Sequence, residues 1–147
     1  MQLAEPSVMP NAKADELKAR TRRFALDVLS FRRTLPSTDE ATDIGRQLSR
    51  AATGVGANYR AACRSRSDAE FAARIGIVLE EADESTFWFE ILTESGITKQ
   101  RRAVELLDEA NQLTAIFAAS SITARRRINR KSSEIIGNQS EINLKSI

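Results

Sequence analysis

Apolar residues recur along most of this chain at alternating spacings of three and four, the period of helices that turn one face to a core. Leu17, Thr21, Phe24, Val28, Phe31 and Leu35 form the first such stripe, with Asn11 placed to cap the helix that carries it. Pro36 ends that helix, because a proline disfavours helical backbone at the residue before it. Ser37-Thr38-Asp39-Glu40 then reads as a capping box, in which the serine oxygen and Glu40 satisfy free amides at the start of a second helix. Its stripe is Ile44, Leu48, Ala51, Val55, Asn58 and Ala62, and the small residues Ala52, Gly54, Gly56, Ala57 and Ala61 let a neighbouring helix come close.

Ser67-Asp68-Ala69-Glu70 is a second box of the same kind, so residues 65–67 form a tight turn into a third helix. That helix carries Phe71, Ile75, Val78, Ala82, Ser85, Phe89 and Leu92 on one stripe. Ile77, Leu79, Phe87, Trp88 and Ile91 add apolar surface outside it, more than one core covers. Gly96 suits the position after a helix end and Thr98 the next cap, after which Ala103, Leu106, Ala110, Leu113, Phe117, Ser120 and Ala124 give a fourth stripe. Beyond Arg127 the pattern fades. The pattern predicts an all-α fold, an antiparallel up-down-up-down four-helix bundle over residues 12–127, between a flexible arm at 1–11 and a flexible polar tail at 128–147.

Composition narrows the functions open to such a bundle. A chain of 147 residues suits one domain, and 6 Gly and 3 Pro in that length favour long helices over loops. The start has neither the basic nor the apolar stretch of a secretory signal, and no run approaches the ~18 apolar residues of a membrane span. The expectation is a cytoplasmic protein outside the membrane. With one cysteine, Cys63, and no histidine, the chain lacks the Ser-His, Cys-His and Glu-x-x-His arrangements on which most bundle enzymes and di-metal centres depend. Glu80, Glu81, Asp83 and Glu84 cluster on one helix, whereas a metal in a bundle needs ligands converging from several. Gly54-Val55-Gly56 lacks the strand and lysine of a phosphate loop and reads as packing. No catalytic activity, cofactor or metal is expected.

The formal net charge is only +2, so the placement of the charges matters more than their sum. Up-down-up-down topology brings the start of the first helix, the turn between the second and third, and the end of the fourth to one pole. Lys18, Arg20, Arg22, Arg23, Arg60, Arg64, Arg66, Arg125, Arg126 and Arg127 gather there, with Lys13, Arg74, Arg130 and Lys131 nearby. Cations at the ends of the second and fourth helices complement the helix dipole. Those at the start of the first helix oppose it, which points to a polyanion such as RNA or DNA. One tyrosine and one tryptophan leave little for base stacking, so phosphates would supply the contacts.

Folding the second helix against the third also brings Arg50 opposite the stretch 81–84, where an ion pair with Glu81 or Glu84 would set the register. Asn58 on its seam reads as a second register residue.

The runs Gln47-Leu48-Ser49-Arg50-Ala51-Ala52, Gly56-Ala57-Asn58-Tyr59, Ser67-x-x-Glu70-Phe71 and Ile75-x-x-x-Leu79-x-Glu81-Ala82-x-Glu84 together resemble the four-helix-bundle family of 23S rRNA intervening-sequence proteins. The likeness covers about residues 17–120. It implies a bundle that assembles into a ring-like homopentamer without known enzymatic activity, and Arg50, Asn58, Glu81 and Glu84 match the family motif. Related bundles serve diversity-generating retroelements, which makes a reverse transcriptase a further possible partner. Assembly would cover the surplus apolar face of the third helix, with Ile77, Trp88 and Ile91 as its candidate interface. Where many relatives have Asn-Ile-Ala-Glu-Gly, this chain has Asn58-Tyr59-Arg60-Ala61-Ala62, trading an acid for arginines. The two functional readings are an oligomeric scaffold that binds nucleic acid, rRNA among the candidates, through its basic pole, and an adaptor that binds protein alone.

Overall fold

The computed structural model describes residues 11–146, and residues 1–10 of the expected arm lie outside it. Four helices follow one another: α1 (Ala12–Arg32), α2 (Asp39–Ala62), α3 (Asp68–Glu94) and α4 (Arg101–Lys145). Each packs against the next, and α1 closes the ring against α4. Neighbours run antiparallel. Thr21 of α1 lies against Gly56 of α2 and Arg32 against Gly45, while Arg20 pairs with Glu109 and Asp27 with Arg102 across α1 and α4. The all-α up-down-up-down bundle read from the sequence is the observed fold.

The apolar stripes meet as a single core in which Phe24, Val28, Leu48, Val55, Ile75, Val78, Phe89, Leu92, Leu113 and Phe117 are fully or almost fully buried. Two aromatic contacts span it, Phe31 with Phe89 at 5.6 Å between ring centroids and Tyr59 with Phe117 at 5.3 Å. Such tilted pairs add about 0.5–1.5 kcal/mol each beyond the area they bury. In α2 the seam differs slightly from the reading above. Tyr59 and Ala52 are buried, whereas Asn58 is half-buried and donates from Nδ2 to its own helix's Gly54 carbonyl at 2.9 Å. On α4 the buried serine is Ser121 rather than Ser120.

Helix ends follow local chemistry. Asn11 caps α1, its side chain accepting the Ala14 amide at 3.2 Å. Thr38, not Ser37, caps α2 by accepting the Ala41 amide, which moves that box by one residue. At α3, Ser67 accepts the Glu70 amide at 3.1 Å, and the Glu70 carboxylate accepts the Arg66 amide at 3.0 Å. Gly96 takes φ +78 after α3, a conformation that favours glycine because it has no Cβ to clash. The expected cap at Thr98 is displaced. Its hydroxyl accepts the Gln100 amide at 3.2 Å within the loop, and α4 begins at Arg101 without a side-chain cap.

The largest departure is at the other end of α4. The break expected after Arg127 is absent, and the helix runs unbroken to Lys145, 45 residues or about 68 Å. No proline interrupts it. The serines that lower helix propensity here return their hydroxyls to the carbonyl four residues back, as Ser132 does to Ile128 and Ser140 to Ile136. Residues 129–146 are all exposed.

Candidate nucleic-acid interface

The pole predicted to be basic is built from the start of α1, the end of α2, the start of α3 and the part of α4 near Arg127. α1 comes close to α2 because Gly56 has no side chain. A Cβ there would stand 3.4 Å from the Thr21 carbonyl oxygen. The flanking long side chains then rise on either side of a shallow groove of about 930 Å³, floored by Ala19, Ala25, Gly56 and Ala57 and edged by Lys18, Arg22, Arg23 and Arg60. No acidic residue lines it. A second groove of about 390 Å³ shares Ala57 and Arg60 with the first and carries Arg64, Arg66 and Arg74 around the α2–α3 turn. Its one acid, Glu70, is engaged by Arg74 at 3.2 Å. The Arg66 amide bond, then Arg74, hold that carboxyl below the usual carboxylate range.

Within this set the free cations can be told from the neutralised ones. Among the described residues, Arg22, Arg60, Arg64, Arg66, Arg125 and Arg126 have no carboxylate within 4.0 Å. Lys18 pairs with Asp15 at 2.9 Å, and Arg23 meets Asp27 only loosely at 3.9 Å. Arg20 is turned away to the α1–α4 flank, where Glu109 at 2.7 Å and Gln112 at 2.9 Å take up its guanidinium. It is a clamp between helices. Arg127 shares Asp68 with Lys131, and the Lys131 hydrogen bond, reinforced by both cations' charge, depresses the Asp68 carboxyl. Arg125 and Arg126 are exposed on α4.

A third cavity, of about 820 Å³, opens at the tip of the bundle between Asp15, Asp68, Tyr59, Cys63, Phe71, Arg127 and Lys131. Burial first, and the adjacent Cys63, push the Tyr59 phenol well above its ordinary value, so it stays neutral. With acids as well as bases on its wall, this cavity lacks the uniform sign of the α1–α2 groove.

The motif residues on the α2–α3 flank do not pair as expected. Among the described residues, Arg50 has no carboxylate within 4.0 Å. Glu81 instead lies over Gly54, where an added Cβ would stand 2.9 Å from its carboxyl carbon. Burial, then the charges of Glu84 and Glu80, raise the Glu81 carboxyl, and Arg50 only partly offsets them. Glu84 accepts the Trp88 indole N–H at 3.1 Å. Of the candidate interface residues, Ile77 is 44% exposed, and Trp88 and Ile91 are half-buried. Trp88 stacks edge-on against Phe87, which is exposed.

Sequence reasoning listed Arg74 near the pole but left it out of the binding set, and it missed Leu26 altogether. Leu26 is 48% exposed and lies off the α1 stripe, so periodicity gave no signal for it, yet it lines the α1–α2 groove. Among the described residues no cluster of three or more potential metal ligands occurs, and no helix is long and apolar enough to cross a membrane.

The family model described as 23S rRNA-intervening sequence protein matches residues 15–119. A solved structure from Bacteroides thetaiotaomicron, described as a protein of unknown function from the S23 ribosomal protein family, is similar in fold. It has a TM-score of 0.68 and 22% sequence identity, with 74% of this chain and 97% of that one covered. No curated protein matches the chain. Neither description names a catalytic activity.

Proposed function

From its membership of the 23S rRNA-intervening sequence protein family, we propose that this chain is a non-enzymatic, oligomeric scaffold of the cytoplasm that binds RNA, with rRNA the first candidate, by its phosphate backbone along the two joined grooves of the basic pole. One observation carries the reading: Arg22, Arg60, Arg64 and Arg66 line a continuous track, and the one acid there is already paired. Unpaired guanidiniums on a surface repel one another, and a polyanion relieves that repulsion while releasing its own counterions. Lys18, Arg23 and Arg74 extend the track, and Arg125, Arg126 and Arg127 supply charge from the α4 side. Arg20 is excluded by its bonds to Glu109 and Gln112. The grooves have small-residue floors and no aromatic lining, which suits sugar-phosphate contact more than base readout.

In this reading Ile77, Trp88 and Ile91, with Phe87, form the body-to-body contact of the homopentamer that the family resemblance implies. Trp88→Asp lowers the assembly's mass in light scattering, and an unchanged mass refutes that interface.

RNA binding is tested by affinity for an rRNA fragment across 50–200 mM salt. With about four phosphates engaged, the logarithm of the affinity falls against that of salt with a slope of about −3. Arg60→Glu combined with Arg64→Glu weakens binding and flattens the slope, whereas Arg20→Gln changes the slope little. Affinity without salt dependence, or none at all, refutes the reading and leaves the adaptor that binds protein alone, a reverse transcriptase being one candidate.

A further inference from the structure

We propose that residues 128–145 of α4 pair with the same segment of a second copy, antiparallel, about a two-fold axis at Ile135. The stripe that α4 turns to the core, through Phe117, Ser121 and Ala124, continues past the bundle as Ile128, Ile135 and Ile142, seven residues apart and so on one helical face. Inside the bundle the stripe is buried. Outside it Ile135 is 67% and Ile142 58% exposed. Asp68, the first residue of α3, already reaches Lys131, and no described residue extends further to cover the stripe.

An uncovered helix of this kind is poorly stable. Only residues 132–145 of α4 lie beyond the last contact at Lys131, about the length at which an isolated helix is marginal, Gly137 costs about 1 kcal/mol relative to alanine, and serine and asparagine help little. A partner that buries the isoleucines supplies what propensity does not.

The spacing favours a second copy of the segment itself. Ile128 and Ile142 are equidistant from Ile135. An antiparallel mate centred there sets Ile128 against the other copy's Ile142 at both ends, a self-complementary contact that closes on two chains. Charge selects the direction. A parallel mate aligns Arg127, Arg130 and Lys131 with their own copies, and Glu134 and Glu141 likewise. The antiparallel mate instead sets the basic run 125–131 against the other copy's Glu141, which falls beside Arg130, at the cost of setting Lys145 level with Arg125 and the two copies' Glu134 within two positions of each other. This segment lies outside the family match at 15–119, so the pairing is a property of this chain and independent of the RNA reading.

Cysteine cross-linking of the full chain, with the exposed Cys63 replaced by serine, gives the test. Under mild oxidation Ile135→Cys links to itself. Ile128→Cys and Ile142→Cys each stay unlinked alone and link when mixed, since only facing Cα atoms within about 7 Å can form a disulfide. Separately, Ile135→Glu lowers the light-scattering mass by at least half while the melting of the body stays as it was. Self-linking of Ile128→Cys shows a parallel pair and overturns the proposal, as does an Ile135→Cys chain that stays unlinked or an Ile135→Glu chain of unchanged mass.

Discussion

Residues 101–124 and 128–145 belong to the same helix, but the first stretch buries seven side chains in the core and the second buries none. Both carry apolar residues on one helical face, although the second keeps only Ile128, Ile135 and Ile142 on it, so the pattern alone does not account for the difference. It comes from where α1, α2 and α3 stop. The packed half is held by tertiary contact, and among the described residues the projecting half has only its backbone ladder, serine hydroxyls and the tie from Asp68 to Lys131 and Arg127 at its base.

The sharpest way to break the contrast is in the packed half. Phe117→Ala removes a fully buried ring that stacks on Tyr59 and lowers unfolding stability by about 3–5 kcal/mol in chemical denaturation. In the projecting half, Gly137→Ala meets no neighbour and strengthens the local helix by about 1 kcal/mol. Amide exchange over residues 138–145 slows about fivefold, while global stability hardly moves.

At the junction the Asp68 carboxyl is held below its ordinary value of 3.8, first by its hydrogen bond from Lys131. The tie it makes is complete above the unfolded value and is lost as pH falls through the lower folded one. Protection of the amides around residue 131 therefore decreases in acid, and Asp68→Asn removes that dependence. The smallest effect has the opposite sign. The Glu81 carboxyl is raised by burial over Gly54 and by Glu84 and Glu80, so its charged form opposes folding at neutral pH. Glu81→Gln melts slightly higher at pH 7, and its advantage disappears as pH drops through the raised value, where wild-type Glu81 takes up its own proton.

Much of the bundle could be read from the residues because burial follows the stripe. Phe24, Val28, Leu48, Val55, Ile75, Phe89 and Phe117 all lie where the three-and-four spacing put them. Capping was legible to within a residue at α1, α2 and α3, as Thr38 in place of Ser37 shows, but not at α4, which begins past Thr98 without a side-chain cap. The grooves were legible only as a gathering of charge. Spacing located Arg20 beside Arg22, but nothing in it disclosed that Glu109, far along the chain, would take Arg20 out of the basic set. The Arg50 pairing failed for a related reason. Gly54 leaves a gap that Glu81 occupies, and a missing side chain exerts no pull that a charge pattern can reveal.

By itself the sequence determined four amphipathic helices, their antiparallel order and the absence of histidine chemistry, since these depend on residue type and on contacts a few positions apart. Tertiary structure alone decided which arginines remain unpaired along the α1–α2 groove and how far α4 projects uncovered. Both depend on the relative reach of helices distant in the chain, and electrostatic neutralisation and burial act through space, where sequence separation carries no information.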